Sequence, residues 1–163
     1  MKVYICYDRY EHDEWFNVEY ISTDKTESLK KVKEEILPDF LCYRPDDCHS
    51  FQLQVINLTK EQYEQLLEWE KDNNHTTLEN FGDESSDYFK FMCEVYESMS
   101  YDDCLIFTDG CSDFSDILKF YSKMKGIDPK DFEDYEDDLH DELWCMDDDE
   151  YMEIIKKYVK EKY

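Results

Sequence analysis

The first 74 residues alternate between two hydrophobic periods, which predict a mixture of strands and helices. Residues 2–7 and 15–21 are rich in β-branched and aromatic side chains, a composition that favours strands. Residues 51–58 alternate between apolar and polar side chains, which predicts a third strand with one apolar face. The two N-terminal segments are close enough in sequence to form an antiparallel pair joined by a loop.

Segments with the apolar spacing of helices lie between the second and third strands and after the third. Apolar residues recur every three or four positions after the second strand until Pro38, where we expect the helix to stop, with a loop over residues 39–50. Thr59 followed by Gln62 is a capping box and predicts the start of another helix. The order of these elements predicts a ββαβα module over residues 1–74, which is a compact α+β unit.

The remainder of the chain is mainly helical in pattern. Residues 75–86 are polar and contain a glycine, so we predict a connecting loop there. Residues 87–163 then predict a mainly helical acidic region packed on the first module, interrupted by a short apolar strand at residues 104–108. Gly126 has the position expected of a glycine that closes a helix. The fold class expected for the whole chain is therefore α+β.

The most unusual segment of this second region is strongly acidic. Residues 128–150 contain 13 acidic residues and a single base, Lys130. Four apolar residues recur at spacings of three, four and four, which predicts one apolar helix stripe formed by Phe132, Tyr135, Leu139 and Leu143. We expect this helix to begin at Asp128-Pro129 and to carry charge at a linear density comparable to that of DNA. A solvated helix face has the same pattern.

Composition restricts the classes of partner. The chain has 43 acidic and 18 basic residues, a formal net charge of −25, yet 17% of its residues are aromatic. This aromatic content favours a folded protein rather than a disordered one. Because the charge must then lie on the surface, direct binding to nucleic acid or to anionic membranes is disfavoured, and basic proteins are the expected partners.

The cysteines and histidines do not form a recognisable reactive site. Seven cysteines without a signal peptide or membrane span are typical of a cytoplasmic protein with reduced thiols. Cys42, Cys48, His49, Cys104 and Cys111 offer possible zinc ligands, but their spacing fits no common zinc motif. No phosphate-binding glycine loop or nucleophile signature is present. We therefore predict no catalytic residues, no metal and no cofactor, and hence no enzyme.

In size and composition the chain resembles the small acidic proteins that viruses of bacteria make against host defence, which include anti-CRISPR proteins and other DNA mimics. The resemblance extends over the whole chain and is clearest in the run DFEDYEDDLHDE at residues 131–142. It implies an inhibitor in the cytoplasm of a bacterial host, bound to a CRISPR effector or another defence nuclease. Such proteins share no common fold, so the resemblance assigns no functional residues.

Under this interpretation, carboxylates occupy phosphate positions in a basic channel and aromatic side chains, including Tyr151, lie at the rim. The predicted partner-binding residues are Asp131, Asp134, Tyr135, Asp137, Asp138, Asp141, Glu142, Trp144, Asp147 and Asp148. Two alternatives stay open: an adaptor or regulatory protein that binds a basic partner without displacing nucleic acid, and a metal-binding enzyme. The oligomeric state and any contribution of the N-terminal module to binding are not predicted.

Overall fold

The computed structural model describes residues 1–10, 15–42, 49–72 and 87–163. The predicted connecting loop at residues 75–86 lies outside these ranges, and the predicted division of the chain around it remains a prediction. Two compact units are present, and they do not follow chain order. Unit 1 comprises Met1–Val32 and His49–Phe107, and unit 2 comprises Lys33–Cys48 and Thr108–Tyr163.

The elements are of mixed type, which confirms the α+β fold class. The four strands are β1 (Lys2–Tyr10), β2 (Trp15–Ser22), β3 (His49–Asn57) and β4 (Cys104–Asp109). The seven α-helices of the described residues are α1 (Lys25–Lys31), α2 (Leu37–Cys42), α3 (Lys60–Asp72), α4 (Asp87–Glu97), α5 (Gly110–Met124), α6 (Phe132–Cys145) and α7 (Asp148–Lys162). A π-helical segment, Val32–Ile36, joins α1 to α2, and a short 3-10 segment precedes β4.

Unit 1 is built on the sheet, whose strand order is β2-β1-β3-β4. Strand β1 is antiparallel to both neighbours, with Val3 opposite Ile56 and Cys6 opposite Leu53. Val3 and Ile56 belong to a core cluster that also contains residues of α3 and α4, including Leu66 and Val95. Burying these apolar side chains provides the main stabilisation of this face.

The alternating pattern of β3 does not separate a buried face from a solvated one. Phe51 and Leu53 are buried on one side, and Gln52 and Gln54 are also buried on the other. Gln52 accepts hydrogen bonds from the Tyr7 hydroxyl and from the side-chain amide of Gln54, each at 3.0 Å. These internal hydrogen bonds replace bonds to water for the Gln52 carbonyl and the Gln54 amino group, which helps to keep the two polar side chains buried on this face of the sheet.

The predicted stop at Pro38 is wrong. Helix α2 runs from Leu37 through Pro38 to Cys42, so part of the loop expected at residues 39–50 is helical. Pro38 lies in the interior of a continuous helical run, residues 25–42, directly after the π-helical segment. The carbonyl four residues before it belongs to that segment, where the regular hydrogen-bond pattern is already interrupted, so the amide that proline lacks is not needed there. Leu37, Pro38 and Leu41 are buried, and α2 packs against α7 within unit 2. Apolar burial therefore favours continuing the helix over ending it.

Local capping signals are confirmed. The Thr59 amide donates to the Gln62 side chain at 2.9 Å, and the Gln62 amide donates to the Thr59 hydroxyl at 3.1 Å, which completes the capping box. Gly126 has a φ of 76° at the end of α5, and the amide of Ile127 donates to the carbonyl of Ser122 at 3.1 Å. This is the hydrogen-bond pattern of a glycine-terminated helix.

Unit 2 is a helical unit in which α5 packs against α6 and α7. Its buried side chains come from each of its helices and include Leu41, Ile117, Leu139, Leu143 and Ile155. Across the parts of the chain that the structure describes, we find no helix with the length and apolarity that a bilayer crossing requires.

Candidate partner-binding face on helix α6

Helix α6 is shorter than its acidic sequence predicts. It begins at Phe132, whereas Asp128 starts a turn in which its side chain accepts the amide of Lys130 at 3.0 Å. The prediction that the helix begins at Asp128 is therefore wrong. The residue before a proline avoids helical backbone geometry, and aspartate readily forms such a turn with the amide two positions later. Of the acidic segment at residues 128–150, α6 contains residues 132–145, and residues 148–150 belong to the first turn of α7.

Two opposite faces of α6 have opposite character. Leu139 and Leu143 are 3% and 0% exposed and define the buried face. At about 100° of rotation per residue, four aspartates at spacings of three, one and three fall within roughly 100° of arc on the opposite side. These are Asp134, Asp137, Asp138 and Asp141, all exposed, which we call the acidic stripe.

The average axial density of charge in the acidic stripe is close to that of a polynucleotide strand. From Asp134 to Asp141 the helix rises about 10.5 Å, so the four carboxylates occur about once per 3.5 Å of axis. One DNA strand carries a phosphate about every 3.4 Å. Helix α6 contains no lysine or arginine that could neutralise these charges internally.

Few intramolecular contacts use the carboxylates of the acidic stripe. Among the described residues, the one ion pair that involves the stripe joins Asp141 to the imidazole of His140 at 3.7 Å. The Asp141 side chain is 88% exposed, and the imidazole is charged only when it is protonated. The stripe is therefore available to an external cation.

Two large aromatic side chains are exposed on the same helix. Tyr135 is 48% exposed and Trp144 is 56% exposed. The Trp144 indole lies nearly parallel to the His140 imidazole, with ring centroids 5.9 Å apart and an interplanar angle of 5°. His140 in turn contacts Phe114 of α5 edge to face at 5.4 Å. This packing holds Trp144 in one orientation without burying it.

Tyr151 does not join these aromatic residues. It is 0% exposed and belongs to the buried side of α7, together with Ile154, Ile155 and Tyr158. The expectation that it lies at a binding rim is therefore wrong. Its spacing of three, four and seven from these apolar residues is the pattern of a core-facing helix side, which explains its burial.

Glu142 has a different role from the acidic stripe. Both of its carboxylate oxygens accept the Lys125 ammonium at 2.6 Å, and one also accepts the Tyr121 hydroxyl at 2.7 Å. The hydrogen bonds from Lys125 and Tyr121 lower the pKa of Glu142. Burial and the neighbouring Glu142 raise the pKa of Tyr121 to about 12. Glu142 thus ties α6 to the end of α5.

The remaining predicted residues lie at helix starts. Asp131 immediately precedes α6 at its N-cap position, without a capping hydrogen bond from its side chain. The Asp147 side chain accepts the amide of Asp149 at 3.0 Å and caps α7, whose first turn contains Asp148. Negative charge at a helix N-terminus is stabilising, so helix formation accounts for Asp147 and Asp148 without an external partner.

The possible metal ligands do not form a cluster in the described ranges. No group of three or more histidine, cysteine, aspartate or glutamate side chains is arranged there to hold a metal ion. Cys48 and the side chains of His49 and Cys111 lie outside the description. Cys42 and Cys104 are not joined in a disulfide.

Sequence reasoning missed two features of this face. It did not predict that His140 and Trp144 stack, although their spacing of four residues places both rings on one side of α6. It also did not separate Glu142, which is paired, from the aspartates of the stripe, because Lys125 and Tyr121 are 17 and 21 residues away. The first could be read from spacing, whereas the second requires the packing of α5 on α6.

Comparison with known proteins finds no match to this chain among protein-family models, curated proteins or solved structures.

Proposed function

We propose that this protein is an acidic inhibitor that binds the basic nucleic-acid-binding surface of a host defence protein and so excludes nucleic acid. Its target would be a CRISPR effector or another defence nuclease in the cytoplasm of a bacterial host. The chain itself would bind neither nucleic acid nor membrane. The proposal keeps the expected arrangement of an N-terminal ββαβα module followed by a mainly helical acidic region that presents the inhibitory face.

The observation that supports this proposal best is the acidic stripe of α6. Its four carboxylates are exposed and face away from the buried Leu139 and Leu143. Their average axial spacing is about that of phosphates in one DNA strand. A groove lined with lysine and arginine that grips a strand through its phosphates would therefore meet charges of the same sign at a similar interval.

The exposed aromatic residues supply a second kind of contact. Charged groups lose hydration when they enter an interface, and an unpaired buried carboxylate is costly. Trp144 and Tyr135 are large, exposed and of the residue types that contribute most at protein interfaces. Trp144 also offers an indole face to an arginine guanidinium. These side chains would give the complex an affinity component that salt does not screen.

A competition experiment tests the proposal directly. Purified protein is added to candidate effectors holding labelled guide RNA or target DNA, and the release of the labelled strand is followed by gel shift and fluorescence anisotropy. We expect displacement of the labelled strand from one effector and a loss of displacement as salt is raised. A stable ternary complex with the nucleic acid still bound would favour the adaptor interpretation instead.

The residues are tested by reversing the charge of the stripe. The fourfold variant Asp134→Lys, Asp137→Lys, Asp138→Lys, Asp141→Lys should weaken effector binding by about a thousandfold, because each reversal places like charges together in the interface. The circular dichroism spectrum should not change. Inhibition that survives this variant would place the binding face elsewhere.

A matched control separates the stripe from net charge. Four exposed glutamates of α3 and α4 offer the same total change when replaced by lysine: Glu64, Glu68, Glu94 and Glu97. This control variant should retain inhibition within a fewfold. If both variants lost inhibition equally, general electrostatic attraction rather than the arrangement on α6 would explain binding.

A further inference from the structure

A basic groove is present in unit 2 despite the net charge of −25. Helices α5 and α7 form an open groove of about 580 Å³. Its lining consists of two apolar residues, three lysines and one glutamate: Phe120, Lys123, Met124, Lys157, Lys160 and Glu161. An adjoining depression shares Phe120, Lys123 and Glu161 and adds two lysines, one acid and one tyrosine: Lys119, Lys162, Asp116 and Tyr158.

The floor of the groove is apolar and partly exposed. Met124 is 45% exposed, and Phe120 lies beside it with its ring edge to face against Tyr158 at 5.7 Å. The aliphatic stems of the neighbouring lysines extend this apolar surface while their ammonium groups stay in water. The groove is too open to enclose a small molecule, so its shape favours a protein surface as its ligand.

The lysines of the groove are only partly neutralised. Lys123 contacts Glu161 at 2.6 Å, but both side chains are more than half exposed. Lys157 and Lys160 take part in no ion pair with any described residue. An occupant that complements this groove therefore carries several carboxylates together with exposed apolar side chains.

Helix α6 has that combination of groups. We infer that the groove between α5 and α7 receives the acidic stripe of α6 from a second copy of this chain, with Trp144 or Tyr135 against the apolar floor. The stripe lies opposite the buried face of its own helix, and no ion pair of the described residues joins it to the groove within one copy. The inferred contact is therefore one between two copies and not one within a single copy.

Long-range repulsion between two copies does not exclude this contact. At physiological ionic strength, exposed charges separated by more than about 8 Å are largely screened. Charges within a contact are screened much less, so local complementarity decides the association. The contact joins two different surfaces, so it is heterologous: a closed arrangement gives a discrete oligomer and an open one gives a chain of copies.

Self-association would also cover the face that the proposed function uses. Copies assembled through the stripe could not present it to a basic effector until they separated. The inference goes beyond the proposed function and does not depend on it, because the groove residues are not among those proposed to bind the effector.

The test is sedimentation velocity over a concentration series at physiological ionic strength. We expect the mass of the wild-type protein to rise above the 20.0 kDa monomer as concentration increases. The groove variant Lys157→Glu, Lys160→Glu should raise the dissociation constant more than about tenfold, and the fourfold stripe variant should do the same. Wild-type protein that stays monomeric throughout the series would overturn the inference.

Mixing the two variants provides a sharper outcome. Each alone presents like charges at the contact, whereas together the lysine stripe of one meets the glutamate groove of the other. We expect association to return in the mixture. Association that persists in both single variants, or that does not return on mixing, contradicts the assigned contact.

A matched control and a separate readout complete the design. Lys25→Glu, Lys60→Glu makes the same charge change at two exposed helix starts of unit 1 and should leave association as in wild type. The groove variant should displace nucleic acid from the effector at least as well as wild type, since its stripe is intact. Loss of self-association with retained inhibition thus separates this inference from the proposed function.

Discussion

Unit 2 contains carboxylates in two contrasting environments, and comparing them separates charge that holds the fold from charge that is available to a partner. Asp113 on α5 is 1% exposed, whereas the aspartates of the acidic stripe on α6 are exposed. The two groups have the same chemistry and lie on neighbouring helices of one unit. They differ in their exposure to solvent and in the donors that surround them.

Asp113 is surrounded by donors. One of its oxygens accepts the Tyr158 hydroxyl at 2.9 Å and the Lys162 ammonium at 2.5 Å, and the other accepts the amide of Asp109 at 2.9 Å. Lys162 also reaches Asp116 at 3.1 Å. A buried carboxylate is tolerated when it is paired and hydrogen-bonded in this way.

The described residues offer the acidic stripe no comparable set of donors. Its carboxylates stay hydrated in the free protein. Each therefore contributes little to the free energy of unfolding, and none pays a cost for leaving water. A carboxylate that its own fold does not neutralise is available to an external cation. The difference therefore predicts separate effects: substitutions at Asp113 should affect stability and not binding, and substitutions in the stripe should affect binding and not stability.

The largest stability effect should come from Asp113→Asn. The amide keeps the shape of the side chain but removes its charge and replaces one acceptor with a donor, which cannot satisfy all three partners. We expect a loss of about 2–3 kcal/mol, somewhat below the cost of breaking a fully buried ion pair, because Lys162 is partly exposed. Urea unfolding measures this loss.

The matched substitution is Asp134→Asn in the stripe. It should change the free energy of unfolding by less than about 0.5 kcal/mol, as expected of an exposed site. Asp113→Asn should leave effector binding unchanged at temperatures where the protein is folded. Equal stability losses at the two positions would contradict the comparison.

A smaller effect on binding should follow from Trp144→Ala. If the indole anchors the interface beside the stripe, its removal should weaken effector binding by about 10–30-fold, which is the loss expected of an aromatic residue of moderate importance. Titration calorimetry at two salt concentrations measures this. The fold loss should be similar at both, unlike that of a stripe variant.

Trp144→Phe is the control for this anchor. It keeps an aromatic ring that can pack against His140 and should recover most of the lost affinity. If neither substitution changed the affinity for the effector, Trp144 would not be part of the interface. The acidic stripe alone would then be the binding face.

The Asp113 cluster should also make unit 2 sensitive to alkaline pH. Burial raises the pKa of Tyr158, and Asp113 adds to this effect. Burial alone would lower the pKa of Lys162, but hydrogen bonds and the charge of Asp113 raise it above its usual value. Burial also raises the pKa of Tyr163 to about 12.

The sign of the effect follows from proton binding. Above about pH 10 the unfolded chain loses protons from its tyrosines and lysines, while the folded protein keeps them on Tyr158, Tyr163 and Lys162. The contribution is therefore fully present below about pH 10 and is lost as pH rises through the folded pKa values. Urea unfolding midpoints across this range should fall, and Tyr158→Phe should make the fall less steep. A midpoint independent of alkaline pH would contradict this assignment.

Local sequence signals predicted part of this fold correctly. The capping box at Thr59 and Gln62 and the terminating Gly126 depend on residues within a few positions, so their geometry follows from sequence alone. The outward direction of the acidic stripe likewise follows from helical period. Pro38 and Asp128 were misjudged because burial of α2 and a turn before α6 shifted the helix boundaries.

Long-range pairing was not predictable from these patterns. Tyr158 and Lys162 lie 45 and 49 residues from Asp113, and no period links α7 to α5. Asp113 therefore could not be distinguished from the other 42 acidic residues by sequence. The burial of Gln52 and Gln54 was not predictable for a related reason. Alternation identifies the two faces of a strand, but it does not show whether the second face is also covered.

Glu142 lies between the two extremes of the comparison and should show the smallest effect. It is paired like Asp113, but Glu142 and Lys125 are 44% and 41% exposed, so Glu142→Gln should cost less than about 1 kcal/mol near neutral pH. Lys125 and Tyr121 lower the pKa of Glu142, so its stabilising contribution is present above the ordinary glutamate pKa. It is lost as pH falls through the lowered folded value.

The difference in unfolding free energy between wild type and Glu142→Gln should accordingly disappear in acid, and urea unfolding at neutral and acidic pH measures it. Asp138→Asn, from the stripe, should show no such pH-dependent difference. Glu142→Gln could instead weaken effector binding while leaving stability unchanged at both pH values. Glu142 would then belong with the acidic stripe, and the partner-binding charge of α6 would extend to the side of the helix that faces α5.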